Sequence, residues 1–124
     1  MSGAVLDHAK ARFAERERKS IRVPEWGPEG SPLVITYTAL TLAERRKIYA
    51  PGNDGKPADG ASIMARTLIV KACDERGQRL FEELDWHDLM HNVDADVVGR
   101  VATAILSSAA SGLTAEAVET EKNG

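Results

Sequence analysis

Two short alternating runs, Ile21 to Val23 and Leu33 to Thr38, are separated by EWGPEGSP, and this stretch restricts the fold more than any other. Its two glycines and two prolines supply the backbone angles and missing donors that stop strands. Ile21 and Val23 flank Arg22, while Leu33, Ile35 and Tyr37 alternate with Val34, Thr36 and Thr38, the period of a strand. A β-hairpin is therefore predicted, with Pro24 and Pro32 at strand ends, where proline is tolerated. A two-stranded hairpin is unstable in water unless something covers one face. Trp26, in the turn, has a ring able to fold back over Val23 or Tyr37 and close the sheet against the preceding helix. A tryptophan at a loop tip is equally suited to anchor an interface.

The other periodicities are helical. Val5, Ala9 and Phe13, with Leu6, lie at helical spacing among charged residues, predicting an amphipathic helix over residues 3–18. Thr41 and Glu44 have the spacing of a capping box and open a short helix over 42–50. APGNDGKPADG, with no apolar side chain larger than alanine, reads as a mobile solvated loop that separates two halves of the domain. Ile63, Ile69, Val70 and Cys73 support a helix over 62–74, and Gly77 stands where a turn or C-cap would end it. Leu80 and Phe81 return to the core.

Asp85 is placed to cap a short helix carrying Trp86, Leu89 and Met90, and Asp94 to cap a longer one reaching residue 111. There Val97, Val101 and Ile105 form a stripe broadened by Val98, Ala102 and Leu106. The stripe serves as core or as a binding face. Gly112 is placed to stop this helix. The expectation is an α+β fold, a predominantly helical small domain with an N-terminal two-stranded hairpin. Residues 1–112 form the single domain, and 113–124 form a flexible acidic tail.

A chain of 124 residues supports one modest core. Its net charge of -3 gives no general attraction to polyanions, so no nucleic-acid partner is expected. The single Cys73 cannot form an internal disulfide and suits a reduced intracellular compartment. No apolar run approaches the roughly 20 residues that span a bilayer, and the N-terminus lacks a signal peptide's apolar segment, so no membrane partner or export is expected.

Candidate chemistry is sparse. His87, Asp88 and His91 spell HDLMH, close to the H-E-x-x-H zinc signature, but with the shorter aspartate and only His8 as a further histidine. A catalytic zinc needs a third protein ligand and a general base, so a metal-dependent hydrolase is the least favoured reading. GNDGKP fails the phosphate-loop spacing at Ala50 and at Pro57. Residues 10–22 hold six basic and two acidic side chains, the pattern of a solvated helix face more than of a nucleic-acid patch. No catalytic residue, metal ligand or cofactor is assigned.

The order of elements resembles that of tail assembly chaperones of long-tailed bacteriophages. The basic helix, IRVPEWG, the second strand and LTLAERRKIYA resemble the family's N-terminal half. ARTLIVKACDERGQRLFEELDWHDL and the ending SGLTAEAVETEKNG continue the likeness, leaving only the loop at 51–60 without a counterpart. The Val23-Pro24-Glu25-Trp26-Gly27 element is its most specific piece.

The resemblance implies a non-enzymatic protein of the host bacterial cytoplasm. It would bind the tape measure protein, keep that long helix soluble, assist polymerisation of the tail tube protein, and be absent from the mature virion. Self-association is compatible with it. Trp26, Val97, Val101 and Ile105 are the candidate partner-binding residues. Many family members also have a longer form made by programmed frameshifting, and Glu121-Lys122-Asn123 is encodable by a slippery A AAA AAC run. A head-tail joining or other minor virion protein is the alternative.

Overall fold

A computed structural model describes residues 2–28 and 31–107. Helix α1 (Ser2–Glu15) precedes strand β1 (Lys19–Val23), a 3-10 turn at Pro24–Trp26 and strand β2 (Leu33–Tyr37). Helices α2 (Leu42–Tyr49) and α3 (Gly60–Lys71) follow, then a second 3-10 turn, Glu83–Asp85, and helix α4 (Trp86–His91). Residues 95–107 are helical and are termed α5. This is the expected small α+β domain. Glu29, Gly30, the expected end of the last helix, Gly112, the acidic tail and Glu121-Lys122-Asn123 lie outside the described residues.

The strands pair antiparallel, Ile21 opposite Ile35 and Val23 opposite Leu33. Alternation puts Val23, Ile35 and Tyr37 on the buried face and leaves Ser20 and Arg22 exposed on the other. The buried face joins Leu68 and Ile69 of α3, Leu89 of α4, and Val97, Val101 and Ile105 of α5 in one core.

The first helix does not close this sheet, contrary to the sequence expectation. Residues 3–15 are all exposed, including Val5 at 72% and Leu6 at 57%. Its narrow stripe of Val5, Leu6, Ala9 and Phe13 competes poorly with the broad apolar faces of α3 and α5, which fill the space against the hairpin.

Local chemistry fixes most boundaries. The Thr41 hydroxyl accepts from the Glu44 amide at 3.1 Å, and the Glu44 carboxylate accepts from the Thr41 amide at 2.9 Å, completing the expected capping box. α3 starts earlier than predicted because Asp59 caps it, accepting from the Ser62 amide at 2.8 Å. That bond holds the Asp59 carboxyl below its usual range. Asp94 accepts from the Asp96 amide at 2.8 Å and caps α5 as expected.

Two expectations are corrected. Asp85 does not cap α4; its carboxylate turns back to the Glu82 amide at 2.8 Å and closes the preceding 3-10 turn. Cys73 lies outside α3, in isolated bridges to Thr36 and Arg79. The Asp74 carboxylate accepts from the Arg76 and Gln78 amides, and Gly77 adopts φ +86°, so the chain reverses tightly there. The long loop at 50–60 joins two helices, α2 and α3, that pack on each other.

Gly27 shows why the VPEWG turn ends in glycine. A Cβ there would stand 2.8 Å from the Pro32 carbonyl carbon and nearer still to Ser31 O and Leu33 N, all backbone atoms. Gly27→Ala is expected to cost about 2–3 kcal/mol, the upper range of overpacking, because backbone must move. Urea unfolding midpoints check this; an unchanged midpoint would mean that the turn relaxes freely.

Candidate functional site

The 3-10 turn over Pro24–Trp26 delivers the Trp26 ring to the side of the core. Pro24 at the first position presets the turn, and the Gly27 amide donates to the Pro24 carbonyl at 3.4 Å. The half-buried Trp26 ring meets Phe81 edge to face, centroids 6.0 Å apart and planes at 74°. Trp26 therefore covers the core, as the sequence reading favoured, but through Phe81 and not through α1. It also lines an open apolar cleft of about 350 Å³ with Leu33, Leu80, Phe81, Leu89 and Val93. Such a cleft fits one or two apolar side chains of a partner.

Beside it, the Glu25 carboxylate accepts two hydrogen bonds from the Arg100 guanidinium, at 2.7 and 2.9 Å. This fork joins the hairpin turn to α5 and holds the Glu25 carboxyl down to about 2. Both side chains are over two-fifths exposed, so the pair contributes modestly. A lowered folded-state value means the contribution is full above the ordinary value of 4.5 and is lost as pH falls through about 2. Urea midpoints of the wild-type protein and Glu25→Gln should thus differ near neutrality and converge toward pH 2. A gap that persisted at pH 2 would assign the effect to packing.

A second groove, about 600 Å³, lies between α2, α3 and α4 and is lined by Lys47, Arg66, Arg79, Glu83 and Trp86 among others. Its arginines cap helix ends. Arg66 Nη1 donates to the carbonyls of Ile48 and Ala50 at the end of α2, and Arg79 donates twice to Ile69 O in the last turn of α3, at 2.6 and 3.0 Å. The Arg66 guanidinium also lies over the Trp86 ring, 5.6 Å from its centroid. Next to Glu44, which lines the groove, the buried Lys71 ammonium donates to Thr38 Oγ1 at 2.9 Å, Ala39 O at 3.3 Å and both Glu44 oxygens at 3.2 Å. These partners are distant in sequence. The only sequence signal for these cations is the placing of Arg66 and Lys71 within the largely apolar stretch of α3, and Arg79, outside any helix, has none.

Val97, Val101 and Ile105 are buried, with exposures of 4%, 0% and 1%. They face inward, as core, and present nothing to a partner unless α5 leaves its place. The exposed His87 and His91 rings lie against one another, centroids 4.6 Å apart and planes at 39°. The Asp88 carboxylate accepts from the side-chain Nδ2 of Asn92 at 2.7 Å. Among the described residues no group of three or more His, Cys, Asp or Glu side chains could hold a metal ion, and no helix is long and apolar enough to cross a membrane.

Comparison of the chain with protein-family models, with curated proteins and with solved structures finds no match.

Proposed function

We propose that the chain is a tail assembly chaperone of a long-tailed bacteriophage or prophage, a non-enzymatic protein that binds the tape measure protein, keeps it soluble and assists polymerisation of the tail tube. The proposal starts from the family resemblance of the sequence. The observation that carries it is the open apolar cleft walled by Trp26, which belongs to the element where the resemblance is most specific. A long apolar helix in water needs a partner that receives its side chains, and a small cleft with an aromatic wall does this. The exposed apolar side chains of α1, Val5, Leu6 and Phe13, add surface of the same character.

Co-expression with the tape measure protein encoded nearby tests the reading. The wild-type chain should keep that protein soluble and co-purify with it. Val93→Glu, which sets a charge at the cleft from a position already 38% exposed, should fold but lose both properties. Purified virions should lack the chain. Its presence there would instead favour the head-tail joining or minor virion protein. Expression of the natural gene with its downstream DNA, read by intact mass, should show a minor longer species sharing this N-terminus.

A further inference from the structure

The outer edge of β1 carries an arrangement that the chaperone reading does not use. Thr36 sits opposite Ser20, yet its amide donates to Cys73 O at 2.8 Å and its carbonyl accepts from the Cys73 amide at 2.9 Å. Both of its backbone groups therefore point away from β1. In an antiparallel ladder the backbone groups change side at every residue. It follows that Leu33, Ile35 and Tyr37 bond to Val23, Ile21 and Lys19. Ser20 and Arg22 consequently turn their N–H and C=O groups outward, where no described residue pairs with them. One edge of the sheet is thus occupied by the Cys73 bridge and the other is open.

The open edge is selective in charge. Lys19 and Arg22 lie on it, within a run from residue 10 to 22 that holds six basic and two acidic side chains, all of it exposed apart from the half-buried Ile21. A short edge strand bearing lysine and arginine discourages pairing with a second copy of itself. The same charges attract a strand of opposite sign, so repulsion and attraction select one class of partner. We propose that the β1 edge is a docking site for an extended acidic segment of a partner protein. That segment adds as a third, antiparallel strand through backbone hydrogen bonds to Ser20 and Arg22. A carboxylate opposite Arg22 lies on the wet face. On the other face a β-branched side chain lies opposite Ile21 and a second carboxylate opposite Lys19.

The geometry specifies a probe, acetyl-Thr-Val-Glu-Ile-Thr-Glu-Thr-amide, to be titrated into the isotope-labelled full chain and followed by NMR. Shift changes should concentrate in β1. Amide exchange at Ser20 and Arg22 should slow by roughly tenfold or more at saturating, millimolar peptide, since only those two β1 amides gain a partner. Added salt should weaken the binding. Arg22→Glu, an exposed substitution that leaves the backbone ladder intact, should bind the acidic peptide more weakly and favour a counterpart with lysine only at the position opposite residue 22. The proposal is overturned if no shifts occur up to millimolar peptide, if both peptides bind alike, or if Arg22→Glu binds as the wild type does. It is equally overturned if the free protein protects the same two amides more as its own concentration rises, which would give the edge to a second copy. Solubility of the tape measure protein is a separate readout, so failure here leaves the chaperone reading standing, and the reverse.

Discussion

Glu44→Ala is expected to lower the unfolding free energy by about 3 kcal/mol, more than its surface position in a capping box suggests, because breaking a buried ion pair strands the other charge. The Lys71 side chain is 7% exposed and its ammonium rests against the Glu44 carboxylate, which is itself 27% exposed. Removing the carboxylate leaves that ammonium with Thr38 Oγ1 and Ala39 O, two neutral acceptors. It also takes away the bond to the Thr41 amide, a capping loss on the order of 1 kcal/mol included in the total. Lys71→Met should cost less, since it removes the buried charge and leaves Glu44 partly hydrated and still able to cap. Urea unfolding of both single variants and the double variant measures this ordering and the coupling between the two residues. If Glu44→Ala proved no worse than Lys71→Met, the pair would count as an ordinary surface bridge.

Leu68→Ala should have an effect of similar or larger size, about 3–5 kcal/mol, and lower Tm by roughly 15 °C in a domain of this size. Leu68 is fully buried in the core that α3 shares with the sheet, α4 and α5. Leu84, 88% exposed, provides the contrast: Leu84→Ala should stay within about 0.5 kcal/mol of the wild type. Thermal melts of the two variants compare them directly. Equal losses would mean that the core is not centred on α3.

Much of the local architecture was legible in the residues. The alternation on either side of EWGPEGSP marked both strands, and the Thr41 and Glu44 spacing marked the start of α2, because these signals act within a few residues of one another. The Asp94 cap is legible for the same reason. The apolar neighbours of Cys73 have helical spacing, yet Cys73 stands outside the helix. What ends the helix is the Asp74 carboxylate gathering two amides beyond it, together with a backbone pairing to Thr36 some forty positions away. The Trp26 site was half legible: a tryptophan in a turn pointed to a cover or an anchor. Its partner Phe81, and the Leu80, Leu89 and Val93 walls of the cleft, come from a segment that no sequence spacing relates to the hairpin.

The sequence by itself determined the elements and their order: period-two and helical apolar spacing, turn residues and caps are short-range chemistry, and each acts before any tertiary contact exists. Only the tertiary structure decided which apolar faces are consumed. α1 and α5 both carry an apolar stripe, yet the stripe of α5 is buried and that of α1 is exposed. Burial is a competition for a limited interior, won here by the wider apolar faces of α3 and α5, and a stripe read alone does not reveal its competitors. The same holds for the free edge of β1. Alternation gives the strand, but only the pairing of Thr36 with Cys73 decides which side of the sheet is left open.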